Sequence, residues 1–150
     1  MTDKIVLKCP ACGAMNRVDE RRLTAQPVCG RCGKPLTASS KPVPVGGAEF
    51  EKEVLDWPGT VLVDFWAPWC GPCRAVAPML EDLAVRRSAS LKIVKVNTDE
   101  NAELASRFGI FSIPTLILFD RGNKINQIAG AMPRSQLEAW IDSSVAAARS

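Results

Sequence analysis

Six cysteines carry the chemistry open to this chain, and all six fall in C-x-x-C pairs: Cys9/Cys12, Cys29/Cys32 and Cys70/Cys73. In a reducing compartment that spacing favours a metal site or redox catalysis over a framework of structural disulfides. There is no histidine, so no step uses imidazole, and any zinc site must be made of thiolates and carboxylates. Sixteen residues separate Cys12 from Cys29, within the spacing of a zinc ribbon. Gly13 and Gly33 follow the two pairs and suit a tight knuckle. Four thiolates complete a tetrahedral Zn2+ shell and leave no open position. Cys9, Cys12, Cys29 and Cys32 are therefore expected to hold one structural zinc per chain. The competing reading is four redox cysteines cycling between two disulfides.

The third pair has a different setting. Val63-Asp64-Phe65-Trp66-Ala67-Pro68-Trp69-Cys70-Gly71-Pro72-Cys73 runs from an apolar strand, through a proline turn, into a helix. Cys70 is then expected at the helix N-terminus, where backbone N–H groups and the helix dipole favour a thiolate. A dipole contribution of roughly 0.3–2 kcal/mol lowers a thiol pKa by about 0.2–1.5 units. Cys70 suits the attacking nucleophile. Cys73, one turn inward and expected to be less exposed, suits the resolving thiol. Two buried structural cysteines, or half of a second metal site, are the competing readings. Asp64 stands in an otherwise apolar strand, so burial should raise its pKa; a strand-end carboxylate bonded to backbone is the alternative.

The elements that must position these groups follow from pattern. The chain has 150 residues, 47% hydrophobic and 23% charged, as a globular protein does. No stretch reaches the roughly 18 apolar residues of a membrane span. Met1 to Pro10 holds an apolar run of only three residues (Ile5, Val6, Leu7), short of a secretory signal, so the cytoplasm is the expected location. Residues 1–41 carry eight Lys and Arg against three Asp and Glu; residues 42–150 carry eleven against thirteen. Four zinc-bound thiolates would leave the first segment only mildly basic, so nucleic acid is not an expected partner. Residues 1–36 are too short to fold readily without a metal, and form the first module. Residues 37–47, rich in Ser, Pro and Gly, read as a linker, or in part as a first edge strand. Residues 48–150 form the second module.

Within it, residues 48–56 read as a short helix and residues 61–66 as a buried strand. Apolar residues at 76, 79, 80 and 83 mark a helix from Cys70 to about Arg87, with Pro78 inside it. Residues 91–96 read as a strand, and residues 102–108 as a helix closed by Gly109. Two strands, 116–119 and 124–129, flank a turn at Asp120-Arg121-Gly122-Asn123. A final helix is expected from Ser135, with Ser135 and Glu138 at capping-box spacing. The order β-α-β-α-β-β-α implies an α/β fold, a mixed sheet with helices on both faces.

The stretch Trp69-Cys70-Gly71-Pro72-Cys73 resembles the thioredoxin active site at every position. The resemblance spans about residues 43–147 and includes Val63-Asp64-Phe65-Trp66, Ser112-Ile113-Pro114-Thr115 and Gly130. With the N-terminal ribbon, the chain resembles the thioredoxin 2-type bacterial proteins. The resemblance implies a thioredoxin fold and reduction of disulfides in cytosolic client proteins. It implies that Asp64 exchanges a proton with Cys73 and that Lys95 lies near Asp64, unless Lys95 is a plain surface lysine. It implies a cis Ile113-Pro114 bond, with the Ile113 backbone as a docking edge beside Trp69, Gly71, Pro72, Pro114 and Gly130. Trp66 and Trp69 also read as core aromatics, though Trp69, just before the nucleophile, fits the site's border better. An NADPH-dependent thioredoxin reductase would supply electrons. No bound flavin or nicotinamide is expected, since no glycine-rich dinucleotide fingerprint is present. A monomer is the default. The other function classes are a zinc-ribbon binding module and a redox-sensing chaperone, with the second domain in support.

Overall fold

The computed structural model describes residues 4–150, leaving aside the side chains of residues 23–25. Two strands, β1 (Lys4–Lys8) and β2 (Met15–Asp19), form an antiparallel hairpin. A 3-10 turn over Glu20–Ala25 follows, capped by the Asp19 side chain on the Arg21 N–H. Cys9, Val18, Cys29 and Leu36 make a small core under this ribbon, with Leu7 and Ala14 against it.

The larger sheet has five strands in the order β3-β5-β4-β6-β7. They are β3 (Val43–Pro44), β4 (Thr60–Trp66), β5 (Leu91–Asn97), β6 (Thr115–Asp120) and β7 (Asn123–Ala129). β4 lies in the middle, parallel to β5 and antiparallel to β6. Its central position explains why it is almost unbroken in apolarity: both faces are covered. Val61, Val63 and Phe65 point to one face, into a core with Phe50, Val94, Leu104 and Phe119. Leu62 points to the other, packing with Val76, Leu80, Leu83 and Ile141. That second face is covered by α1 (Gly71–Arg86) and α3 (Arg134–Ala148), the first by α2 (Ala102–Arg107).

Strand periodicity puts Asp64 on the same face as Leu62, under α1. At the other end of the sheet, Arg121 and Gly122 take positive φ (54° and 83°), as a tight hairpin turn requires. A Cβ on Gly122 would meet the Leu55 carbonyl oxygen at 2.6 Å, so glycine is needed for approach as well as for φ.

Two local expectations need revision. The helix expected over 48–56 is a single wide turn, Glu51–Leu55, in which the Asp56 N–H reaches the Glu51 carbonyl. The capping box of the last helix does not form: α3 begins at Arg134 with Pro133 at its cap and no side-chain bond. Glu138 instead accepts from Arg86 of α1 at 3.2 and 3.3 Å, a charge-assisted contact that outcompetes the cap. In segment 37–47 the expected edge strand forms over Val43–Pro44. Thr37 and Ala38 are buried, the Ala38 N–H donates to Ser88 at 2.6 Å, and Val43–Pro44 pairs with β5.

Ser88 lies in the turn between α1 and β5, at the end where β4 starts. A cleft of about 960 Å³ between ribbon and sheet is lined by Cys9 and Pro10 on one side and by Gly59, Thr60 and Leu91 on the other. Cys70 follows the opposite end of β4. A seven-residue strand, about 20 Å long, therefore separates the two cysteine sites.

Candidate active site and metal centre

β4 delivers the chain to Ala67, and the turn that follows closes with the Cys70 N–H on the Ala67 carbonyl. Arg74 pins this turn by donating twice to the Pro68 carbonyl, at 2.9 and 3.2 Å. Cys70 is the N-cap of α1: its sulfur accepts the Cys73 N–H at 3.2 Å, where Ser or Asp commonly caps a helix. Gly71 and Pro72 open the helix; proline there loses no needed N–H. Cys70 and Cys73 form a disulfide, with Cα atoms 5.3 Å apart. The two are equally buried in this oxidised state, at 4% and 3% exposure. The disulfide folds Cys70 Sγ onto the helix start, which removes the expected difference in exposure.

Cys70 Sγ lies 3.8 Å from the carbonyl oxygen of Ile113. The Ile113–Pro114 bond is cis. This loop is tied on both sides: the Thr115 hydroxyl donates to the Ser112 carbonyl, and the Gly130 N–H donates to the Pro114 carbonyl at 2.8 Å. Gly130 has φ of +95°, open to few residues but glycine. Trp69 is 66% exposed beside Cys70, its indole N–H shared between the two oxygens of Asp99. Asp99 was not singled out from sequence; its position two residues past a strand carries no motif.

Asp64 is 1% exposed, and its Oδ1 has no hydrogen-bond partner. Desolvation raises its pKa to about 7, against the partly compensating charge of Lys95. Lys95 is Asp64's register partner on β5. Its ammonium rests 4.3 Å from the Trp66 ring centroid, so it acts on Asp64 as a nearby charge. A carboxyl poised near neutrality beneath the helix that starts at the dithiol can exchange a proton at physiological pH.

The ribbon cysteines sit in two equivalent knuckles. Cys9 N–H bonds to the Ala14 carbonyl and Gly13 N–H to the Cys9 carbonyl; Cys29, Lys34 and Gly33 repeat the pattern. Gly13 and Gly33 have φ of +79° and +78°. All four sulfurs lie within 4.8 Å of one another. Cys9–Cys32 and Cys12–Cys29 sulfurs are 3.6 and 3.7 Å apart. A tetrahedron with metal–sulfur bonds of about 2.3 Å has edges of about 3.8 Å, so the cluster fits zinc. N–H groups of Cys32 and Arg31 and the Asn16 amide stabilise the Cys29 thiolate and lower its pKa to about 6. Asn16 also accepts the Gly30 N–H at 2.9 Å. No spacing rule flags Asn16, because its partners are 13 and 14 residues away.

Among the described residues, no helix is long and apolar enough to cross a membrane.

Comparison with known proteins agrees with this geometry. Residues 41–143 match the thioredoxin family model, and residues 8–34 match that of the thioredoxin 2 N-terminal zinc ribbon. Thioredoxin 1 of Nostoc sp. is 50% identical over 98 residues, covering 65% of this chain and 92% of the relative. Thioredoxin C-3 of Corynebacterium nephridii is 33% identical over 138 residues, covering 92% of this chain and 94% of its own. A mutant thioredoxin from Halobacterium salinarum superposes with a TM-score of 0.65 at 34% identity, over 71% of this chain and 93% of that one. A redox pair at a helix start, a ribbon of four gathered thiols and these matches together make the chain a member of the thioredoxin family, a protein-disulfide oxidoreductase with an N-terminal zinc ribbon.

Proposed function

We propose that Cys70 is the nucleophile and Cys73 the resolving thiol in the reduction of client disulfides. The observation that carries this is Cys70 at the cap of α1, its sulfur accepting a backbone N–H and lying beside the Ile113 carbonyl. In the reduced protein the Cys70 thiolate attacks one client sulfur, and the client's other sulfur leaves as thiolate. Asp64 takes the Cys73 proton, and the Cys73 thiolate attacks Cys70 Sγ. The client's second thiol departs, and the Cys70–Cys73 disulfide of this structure remains. Two electrons have passed to the client. Lys95 tunes Asp64 through charge. Trp69, Gly71, Pro72, Ile113, Pro114 and Gly130 line the docking edge, where an extended client segment pairs with the Ile113 backbone.

Residues 1–36 act as a zinc module, residues 37–47 join it to the sheet, and residues 48–150 form the catalytic module. Zinc, held by Cys9, Cys12, Cys29 and Cys32, is structural, one ion per chain. When bound it supplies folding energy to a segment with little core of its own. The chain works as a cytoplasmic monomer with no bound flavin or nicotinamide, and an NADPH-dependent thioredoxin reductase restores its dithiol. Cys73→Ser should stall the reaction at the mixed disulfide and trap clients on Cys70. Recovery of no client adduct, or of adducts on ribbon cysteines, would refute these roles.

A further inference from the structure

The chain has five phenylalanines. Four of them, Phe50, Phe65, Phe108 and Phe119, pack ring against ring with centroids 5.2–6.0 Å apart. Phe111 is 98% exposed. It lies between α2 and Ile113, and its ring edge is 3.8 Å from where a Cβ on Gly109 would stand. Almost the whole ring faces water. Isolated exposed apolar residues are ordinary. This one differs in its surroundings: it is two residues from Ile113, whose carbonyl is beside Cys70 Sγ, and Trp69 on the other side of that sulfur is exposed as well.

We infer that Phe111 selects clients, by packing against an apolar side chain about two residues from the client's reacting half-cystine. The inference deepens the reductase reading and rests on Cys70 being the nucleophile. A client sulfur bonded to Cys70 lies about 2 Å from Cys70 Sγ, and hence within about 6 Å of the Ile113 carbonyl oxygen. An extended client segment advances about 3.3 Å per residue; Phe111 is two residues from Ile113 across the bend at 112–114, so their Cα atoms lie within about 7 Å of each other. The client residue that meets Phe111 is then about two positions from the half-cystine. An aromatic side chain has only two rotatable side-chain bonds to fix on contact for a large apolar area gained, which is why such residues recur as anchors at interfaces. Trp69 and Phe111 would grip the client on either side of the mixed disulfide.

The test uses the full-length, zinc-loaded, reduced chain with two disulfide-bonded peptides. The peptides differ only in Leu or Ser two residues from the half-cystine; hydroxyethyl disulfide serves as a small control. The wild-type chain should prefer the Leu peptide by about tenfold in kcat/KM, about 1.4 kcal/mol, with the difference in KM. Phe111→Ser should bring that ratio close to one, and Phe111→Leu should restore most of it. A wild-type ratio near one, or a ratio that survives Phe111→Ser, would overturn the inference. An equal loss on both peptides and on hydroxyethyl disulfide would also overturn it, since the residue would then only support the loop. A wild-type chain inert towards hydroxyethyl disulfide would instead sink the reductase reading itself.

Discussion

The ribbon and the dithiol site use the same C-x-x-C unit to opposite ends. In the ribbon each pair is followed by a glycine at φ near +79°, which bends the chain back, gathers four sulfurs and points N–H groups at them. In the dithiol site Arg74 follows Cys73 and the helix simply continues, so two sulfurs stand alone at its start. A cation can neutralise the first arrangement; the second leaves one thiol next to a helix dipole and open to exchange. Spacing alone does not separate a metal ligand from a nucleophile. The backbone after the second cysteine does. The strand between the sites, about 20 Å, also prevents direct thiol exchange between them within one chain.

Exchanging one cysteine in each region tests this contrast most severely. Cys70→Ser should abolish reductase turnover while zinc content stays at one per chain. Cys9→Ser should lose the zinc and keep turnover within about twofold, as no ribbon sulfur reaches the dithiol across that strand. Insulin reduction and a zinc-chromophore assay on both variants give the answer. Turnover above a few per cent of wild type in Cys70→Ser would place the nucleophile in the ribbon.

Oxidation should divide the regions next. Peroxide competes with the metal for the ribbon thiolates, so zinc release and disulfide formation at Cys9, Cys12, Cys29 and Cys32 are expected. Losing roughly 10–16 kcal/mol of metal binding should unfold residues 1–36, while the five-stranded sheet keeps its two apolar cores. Circular dichroism recorded alongside zinc release should show partial loss. A single transition that melts the whole chain would show that the contact at Ala38 and Ser88 couples the modules.

The contrast between the two regions was largely legible in the sequence, because both rest on short-range spacing. The ribbon ligands, the strand–turn–helix at Cys70 and the turn at Arg121-Gly122 all lie within a few residues of their signals. What was not legible depends on residues far apart in the chain. Glu138 left its expected cap for Arg86, 52 residues away. Ala38 found Ser88, and Trp69 found Asp99. No local pattern could tell that Phe111 would be exposed while Phe108, three residues earlier, joined the aromatic core. Asp64 was visible as an oddity in an apolar strand, but only the fold shows that it has no hydrogen-bond partner at Oδ1.

That oddity gives the dithiol region a pH dependence of its own. Burial raises the Asp64 pKa from an ordinary 3.8 to about 7, so the folded chain keeps this proton longer than the unfolded one. Its contribution to stability is therefore highest below about pH 4, falls as pH rises, and levels off above about pH 7. The span corresponds to about 4 kcal/mol. Asp64→Asn should remove the slope. At pH 8 it should stabilise the oxidised protein by about 1–3 kcal/mol, since the unpaired amide offsets part of the gain. Urea unfolding at pH 5 and pH 8 measures this. The same variant should slow the resolution step near neutral pH and leave zinc content alone; an unaltered pH–rate profile would remove Asp64 from proton transfer.

The smallest expected effect lies within the ribbon and separates its two knuckles. They share backbone geometry, but Asn16 holds them differently: it donates to the Ala14 carbonyl of the first at 3.1 Å and to a ligand sulfur of the second. Asn16, on β2, donates to Cys29 Sγ at 3.4 Å and accepts from Gly30 N–H at 2.9 Å. It thereby orients one ligand and ties the second knuckle to the hairpin that carries the first. Partners behind metal ligands typically contribute 10–100-fold in affinity. Asn16→Ala should raise the zinc dissociation constant by about that factor, measured by competition with a chelator. Asn16→Asp keeps the acceptor for Gly30 but sets a negative charge beside the Cys29 thiolate, so it should weaken zinc at least as much. Reductase turnover should not change in either variant, because the dithiol lies at the far end of β4. Equal zinc affinity in wild type and Asn16→Ala would show that the backbone knuckles alone hold the four sulfurs.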